Sequence, residues 1–109
     1  MIQITDEQMG RVRELCAEYG VVKLELFGSA ATDAFNPARS DIDVIARFEE
    51  RSDIDYVDRF FGFVEALEQL FGRPVDLLTQ QKFRNAIFQH SVDATRRVIY
   101  ERPNVEAAA

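Results

Sequence analysis

LFGS at residues 26–29 and SDIDV at residues 40–44 are the two segments from which the architecture of this chain can be inferred. The first predicts a strand that ends in a glycine turn, and the second predicts a strand that opens with two carboxylates. Residues i and i+2 of a strand point to the same face, so Asp41 and Asp43 are predicted to lie about 6.6 Å apart at Cα. Because like charges repel, such a pair predicts a site for a hard cation.

Gly28 and Ser29 add an anion site to this pattern. Glycine has no Cβ, so the backbone at Gly28 can turn sharply and approach a ligand closely. The Ser29 side chain adds a hydroxyl, and residues 30–34 are predicted to form a helical turn whose free N–H groups would face an anion. Carboxylates for a metal beside a site for an anion predict a site for a metal-bound nucleotide.

The Gly28-Ser29 turn, the spacer and the Asp41-Ile42-Asp43 segment resemble the signature of the DNA polymerase β-type nucleotidyltransferase superfamily. The small size resembles its minimal branch, the MNT proteins that are paired with HEPN-domain ribonuclease toxins. This family carries a third carboxylate on a later strand, and Asp76, in PVDLL at residues 74–78, matches it. The resemblance extends over nearly the whole chain, from about residue 5 to about residue 102.

The resemblance implies a Mg²⁺- or Mn²⁺-dependent enzyme that moves a nucleoside monophosphate, AMP from ATP, to a hydroxyl acceptor. The acceptor would be a tyrosine of a partner HEPN toxin, which would make the chain the antitoxin of that toxin. The metal-binding and catalytic residues would be the three matching carboxylates, Asp41, Asp43 and Asp76. The nucleotide-binding residues would come from the turn and the loop after it, namely Gly28, Ser29, Arg39 and Ser40.

The chemistry of the acids agrees with this reading. Mg²⁺ is usually held by one or two carboxylates together with substrate phosphates, and Asp41 and Asp43 would serve as those carboxylates. Asp76 would either ligate a second ion or accept the proton of the attacking hydroxyl, and both roles stay open. The structural alternative for Asp41 is a capping residue in a turn. A carboxylate inside an apolar strand, as at Asp43 and Asp76, is costly without a partner.

The chain departs from the family pattern in two places. The spacer from Ala30 to Ser40 holds eleven residues, whereas the family usually has about ten, and a turn near Asn36 would absorb the extra residue. The family also often places a basic residue directly after Gly-Ser, where this chain has Ala30 and Ala31. Arg39 is the nearest basic substitute.

Two other functions remain open on the sequence alone. The domain could be a weak or inactive MNT-like module that neutralises a toxin by binding it. It could also be an antibiotic-modifying transferase, a class that usually carries an additional helical domain. Because the chain has no room for that domain, a separate chain would have to supply it. The oligomeric state, homo- or hetero-oligomer, stays open on the sequence alone.

Composition limits the class of protein. The 109 residues, 47% hydrophobic and 29% charged, predict one domain spanning residues 1–109, with a flexible tail at residues 103–109. No apolar run approaches the roughly 20 residues that span a bilayer, and the N-terminus does not resemble a signal peptide, so we expect a cytoplasmic protein without membrane contact. The net charge of −6 disfavours general nucleic-acid binding and tolerates a basic protein partner.

Hydrophobic periodicity predicts the element order αββαβαβ, and hence an α/β (α+β) nucleotidyltransferase fold in which helices flank a mixed sheet of four strands. The strand carrying Asp43 should neighbour the strand carrying Asp76, in parallel, because a helix connects them. The predicted helices follow a capping box at Thr5–Gln8, follow a cap at Ser52 or Asp53, and span residues 81–95. The predicted strands cover residues 21–27, 41–48, 75–78 and 97–101.

Two side-chain patterns complete the predictions. On the first strand, Lys23 and Glu25 are expected on the face opposite Val22, Leu24 and Leu26. The long central helix is expected to bury a wide apolar stripe, made of Val57, Phe60, Phe61, Val64, Leu67, Leu70 and Phe71. Its remaining aromatic residues, Tyr56 and Phe63, lie off this stripe and are interpreted as an extension of the core or as a partner interface.

Overall fold

A computed structural model describes residues 1–103, and residues 104–109 of the predicted tail lie outside the described residues. The elements follow the predicted order αββαβαβ. They are α1 (Asp6–Tyr19), β1 (Val21–Phe27), β2 (Ile42–Phe48), α2 (Tyr56–Phe71), β3 (Val75–Leu78), α3 (Ala86–Thr95) and β4 (Arg97–Glu101). A short 3₁₀ turn, Gly28–Ala31, follows β1 directly.

The four strands form one mixed sheet in the order β3-β2-β1-β4. β1 pairs antiparallel with both β2 and β4, whereas β2 pairs parallel with β3. The parallel pair follows from the connection, because α2 carries the chain back to the end of the sheet from which β2 starts. The predicted fold class and the predicted neighbours of β2 are therefore confirmed.

The ends of α1 are determined by local chemistry. The Thr5 hydroxyl accepts from the Gln8 backbone N–H at 3.1 Å, and the Gln8 side chain accepts from the Thr5 N–H at 3.0 Å, which is the predicted capping box. Gly20 ends the helix in the left-handed conformation, at φ 72°. The inward face buries Cys16, and this burial raises the pKa of its thiol to about 12.

The two faces of the sheet are covered unequally. One face packs against α1 and α2 and forms the large core, which includes Val12, Leu15, Cys16, Leu24, Leu26, Ile42, Val44, Phe63, Leu67 and Leu77. The other face packs against α3 through the small core, which consists of the buried residues Phe27, Ile45 and Val92, flanked by Leu78 and Phe83. The strand alternation places Asp43 and Asp76 on the small-core face, two residues before Ile45 and Leu78.

The predicted apolar stripe of α2 is confirmed in part. Five of its seven residues are buried in the large core or packed against it, namely Phe60, Val64, Leu67, Leu70 and Phe71. Phe63 is fully buried at 0% exposure, whereas Phe61 is 63% exposed and Val57 is 56% exposed. The buried line is Arg59, Phe63 and Leu67, at a spacing of four residues. The stripe prediction therefore fails at Val57 and Phe61 and omits Phe63, because the helix is apolar on more than one side.

Two helix starts also differ from the prediction. α2 is capped by Asp55, whose carboxylate accepts from the Val57 N–H at 2.7 Å, instead of by Ser52 or Asp53. α3 begins at Ala86 instead of residue 81, because the Asn85 side chain caps it by accepting from the Phe88 N–H at 2.9 Å. No helix within residues 1–103 is long and apolar enough to cross a membrane.

Candidate active site

Asp43 and Asp76 lie side by side on adjacent strands. They are register partners in the parallel pairing of β2 with β3, so their side chains project from the same face of the sheet. Asp43 is half-buried and Asp76 is exposed. Each is the second residue of its strand, near the N-terminal end. The structure therefore brings together two of the three carboxylates that the sequence singled out.

The Gly28 turn lies directly against Asp43. Phe27, the last residue of β1, is the register partner of Asp43, so Gly28 begins its turn beside that carboxylate. Gly28 has φ 64°, and a Cβ built there would lie 2.9 Å from the Asp43 Oδ2 atom. A side chain at this position would be strained by the backbone conformation and would also displace the carboxylate. The close approach of turn and carboxylate thus depends on glycine.

The electrostatics of the site reflect its concentration of acids. Burial raises the pKa of Asp43 above its ordinary value, and the negative charges of Asp76 and then Asp41 raise that pKa further. The three carboxylates therefore share one field although they come from distant positions in the sequence. A group of like charges held together in this way attracts a cation.

Asp41 is placed less closely than predicted. It is exposed and precedes β2, which begins at Ile42 instead of at Asp41. Within residues 1–103, no three His, Cys, Asp or Glu side chains are arranged so that they could hold a metal ion between them. The carboxylates thus form a close pair, Asp43 and Asp76, with Asp41 at its margin.

The predicted nucleotide-binding residues lie partly on the turn beside Asp43 and partly on the loop that follows it. Gly28 and Ser29 begin the 3₁₀ turn, which spans Gly28–Ala31 instead of residues 30–34. The Gly28 N–H is not free for an anion, because it donates to the Thr95 hydroxyl at 2.9 Å. Arg39 is exposed, and the Ser40 hydroxyl accepts from the Asn36 N–H at 2.9 Å.

The loop between the turn and β2 is a hydrogen-bonded structure. The Asn36 side chain accepts from the Ala38 N–H at 2.9 Å, which makes a compact turn where the extra spacer residue was expected. The Ser40 carbonyl accepts from the Arg73 guanidinium at 3.2 Å, and Arg73 also lies over the Phe35 ring at 5.0 Å. Arg73, rather than Arg39, is thus the arginine that the structure shows in contact with Ser40.

Sequence reasoning missed three residues that support the site from behind. Glu25 was expected on the polar face of β1, yet it is buried at 3% exposure. Arg96, the residue after α3, donates to both of its carboxylate oxygens at 2.8 Å. Thr95, next to Arg96, holds the Gly28 N–H. The available signal was the position of Glu25 two residues before Phe27, on a face that also carries apolar residues.

The Glu25–Arg96 pair is bidentate and partly desolvated. The hydrogen bonds from Arg96 hold the pKa of Glu25 below its ordinary value, and the same bonds raise the pKa of Arg96. Both groups are therefore ionised wherever the protein is folded near neutral pH. The pair fixes the C-terminal end of α3 to the middle of β1.

Comparison with known proteins agrees with this geometry. The family of nucleotidyltransferase domains matches residues 10–103. A proposed minimal nucleotidyltransferase of known structure is similar to this chain at 25% identity and a TM-score of 0.63, covering 84% of this chain and 88% of that one. No curated protein sequence matches the chain significantly.

Two complexes share the fold at lower identity. One is a tri-AMPylated HEPN toxin with its MNT antitoxin from Shewanella oneidensis, at 14% identity and a TM-score of 0.57, covering 94% of this chain and 76% of that one. The other is a toxin–antitoxin complex with AMP-PNP, at 16% identity and a TM-score of 0.62, covering 92% of this chain and 78% of that one.

The family match covers most of the chain and includes the Gly28 turn and all three aspartates. The sheet order, the parallel pair that carries Asp43 and Asp76, and the glycine turn beside them agree with that match. The protein belongs to the family of nucleotidyltransferase domains.

Proposed function

We propose that this protein transfers AMP from ATP to a hydroxyl of a partner HEPN ribonuclease toxin, a tyrosine hydroxyl by the family resemblance, and thereby acts as its antitoxin. The observation that carries the proposal is the register pairing of Asp43 with Asp76 beside the Gly28 turn. The neighbouring structures support the choice of partner and nucleotide, since one contains an AMPylated HEPN toxin and another contains AMP-PNP.

The donor set fits Mg²⁺ or Mn²⁺. Both ions take oxygen ligands, and Mg²⁺ is usually held by one or two carboxylates plus substrate phosphates instead of by a complete protein cage. A close pair of carboxylates with a third at its margin suits this mode, even though no three acids among residues 1–103 form a ready metal site. Asp43 and Asp76 would hold the ion, with Asp41 as a further ligand. When bound, the ion would neutralise the charge that builds on the phosphoryl oxygens.

The remaining roles, contact with the acceptor and contact with the nucleotide, are assigned to side chains by their position and exposure. In the transfer, the acceptor oxygen forms a bond to the α-phosphorus, while the bond from that phosphorus to the departing pyrophosphate breaks. Asp76 is exposed on the rim of the pair, and in its alternative role, in which it does not ligate the ion, it would accept the proton of the acceptor hydroxyl. The glycine turn leaves space for the phosphates beside Asp43, and Ser29, Arg39 and Ser40 would contact the nucleotide from the turn and loop.

The test first asks whether a reading frame adjacent to this gene encodes a HEPN-domain protein, and then measures transfer of label from ATP, radioactive at the α-phosphorus, to that protein. We expect Mg²⁺-dependent labelling of the partner, which mass spectrometry would assign to a tyrosine. Asp43→Asn should reduce the rate at least about 100-fold, because electrostatic stabilisation of this kind typically contributes that much.

Glu65→Gln is the matched control, since it also neutralises one carboxylate but lies exposed on α2, away from the small-core face. It should label the partner at the wild-type rate. Full labelling by Asp43→Asn, or no labelling by the wild type with any nucleoside triphosphate, would refute the proposed activity.

A second function is favoured by one observation. Because Ala30 and Ala31 stand where the family often has a basic residue after Gly-Ser, the triphosphate would lack that contact, and the domain could instead neutralise a toxin by covering it. The Asp41→Ala/Asp43→Ala double variant distinguishes the two functions. If it still suppresses the ribonuclease activity of the partner, neutralisation is by binding.

A further inference from the structure

The end of α3 is tied to the glycine turn by a single hydroxyl. The Thr95 Oγ1 atom accepts from the Gly28 N–H at 2.9 Å and donates to the Ser91 carbonyl at 2.9 Å. Both hydrogen-bonding functions of this hydroxyl are thus directed by the backbone. The contact joins residues that are 67 positions apart in the sequence.

This tie acts on a backbone position that needs support. Gly28 is in the left-handed region, at φ 64°, and its Cα approaches the Asp43 carboxylate so closely that a Cβ would clash with it. Conformations of this kind persist at functional sites when the surrounding structure over-determines them. The Thr95 bond constrains the orientation of the Gly28 peptide, and therefore the path of the chain into Ser29.

The end of α3 is itself fixed in place. Arg96, adjacent to Thr95, forms the bidentate pair with Glu25, three residues before Gly28 on the same stretch of chain. Val92, one turn earlier on α3, is fully buried in the small core with Phe27. Thr95, the last residue of α3, and Arg96, the residue after it, thus bind two points of the β1–turn segment, so the Thr95 hydroxyl is held in a fixed position relative to the turn.

We infer that Thr95 is a positioning residue of the nucleotidyl-transfer site: its hydroxyl holds the Gly28 turn in the orientation that leaves room for the nucleotide phosphates beside Asp43. This inference rests on the proposed function. Thr95 touches neither substrate nor metal in this assignment. It acts through the backbone of Gly28, because loss of the bond lets the turn drift relative to the carboxylate pair.

The test compares Thr95→Val with Thr95→Ser. Valine keeps the shape of threonine and lacks the hydroxyl, whereas serine keeps the hydroxyl. We expect Thr95→Val to lower kcat/KM for AMP transfer about 10-fold or more, since small misplacements in an active site can cost up to about 100-fold. Thr95→Ser should restore transfer to within a factor of about 3 of the wild type.

Amide hydrogen exchange, measured by NMR without partner or nucleotide, gives a readout that does not depend on activity. The Gly28 amide should exchange at least about 10-fold faster in Thr95→Val and stay protected in Thr95→Ser. Ser91→Ala is the matched control, because it removes a hydroxyl from the same helix but leaves the Ser91 carbonyl that Thr95 uses. It should change neither exchange nor transfer.

The outcomes separate the two claims. If the wild type transfers AMP and Thr95→Val does so equally well, the positioning role is refuted and the proposed function stands. Unchanged exchange at Gly28 in Thr95→Val refutes the positioning role independently of any activity. If the wild type is inactive, the proposed function fails, and the catalytic part of this inference fails with it. Exchange then decides only whether Thr95 holds the turn.

Discussion

The two faces of the sheet differ in how completely helices cover them. The large-core face is closed by α1 and α2, and its strand side chains are apolar and buried. The small-core face is covered by α3 over Phe27 and Ile45 and carries an ion pair and two carboxylates. The large core and the candidate site thus lie on opposite sides of the same strands. Complete burial serves the first, whereas the second needs charged groups that water and ligands can reach.

The largest effect should come from the large core. Phe63→Ala removes a fully buried ring and is expected to cost about 3–5 kcal/mol of unfolding free energy. Phe61→Ala, on the same helix but with a 63% exposed ring, should cost less than about 1 kcal/mol. Urea titration of both variants measures the difference. Equal costs would mean that Phe63 is not on the buried side of α2.

The ion pair of the small-core face should come next. Arg96→Met leaves the buried Glu25 carboxylate with only the more distant Lys23 ammonium, at 3.9 Å, as a charged partner and should cost about 3 kcal/mol. The double variant Glu25→Met/Arg96→Met removes both charges and should recover most of that loss, since apolar replacement of a buried pair is often neutral. Thermal unfolding of the two variants checks this. If the double variant is no more stable than Arg96→Met, loss of the bidentate partner of a buried carboxylate is not the cause.

Two glycines with similar backbone conformations separate the effect of contact with Asp43 from the effect of backbone strain. Gly28 and Gly72 both have positive φ, 64° and 67°. A Cβ built at Gly28 would meet the Asp43 carboxylate, whereas a Cβ built at Gly72 would have no atom within 4 Å. Gly72→Ala should cost about 1 kcal/mol, the strain alone, and Gly28→Ala about 2 kcal/mol. Only Gly28→Ala should abolish AMP transfer. Equal activity losses would show that contact with Asp43 is irrelevant.

The smallest effect concerns the charge of Asp43. Because burial and its acidic neighbours raise its pKa in the folded protein, the folded state binds the proton more tightly than the unfolded chain does. Stability is therefore lost as the pH rises from the ordinary Asp value through the raised one. Asp43→Asn should slightly increase Tm at pH 7 in the absence of metal, and this gain should vanish in acid. A lower Tm at pH 7 would show that burial and the charges of Asp76 and Asp41 do not destabilise the ionised Asp43 side chain.

Local chemistry explains which elements could be predicted. The Thr5–Gln8 capping box and Gly20 define α1, and the apolar run at Val75–Leu78 defines β3, because each signal lies within a few neighbouring residues. The buried side of α2 could be predicted only in part, since its apolar residues are spread around the helix. The start of α3 was placed too early, because the Asn85 cap was overlooked.

The candidate site shows the same division. The sequence alone determined the glycine turn, the carboxylates and the element order, because backbone conformation, strand alternation and charge are properties of short segments. Only the tertiary structure decided that Asp43 and Asp76 are register partners, that Asp41 lies at their margin, and that Glu25 is buried. It alone also revealed that Thr95 holds Gly28. Those facts depend on contacts between distant residues, and such contacts exist only once the strands have paired and α3 has docked.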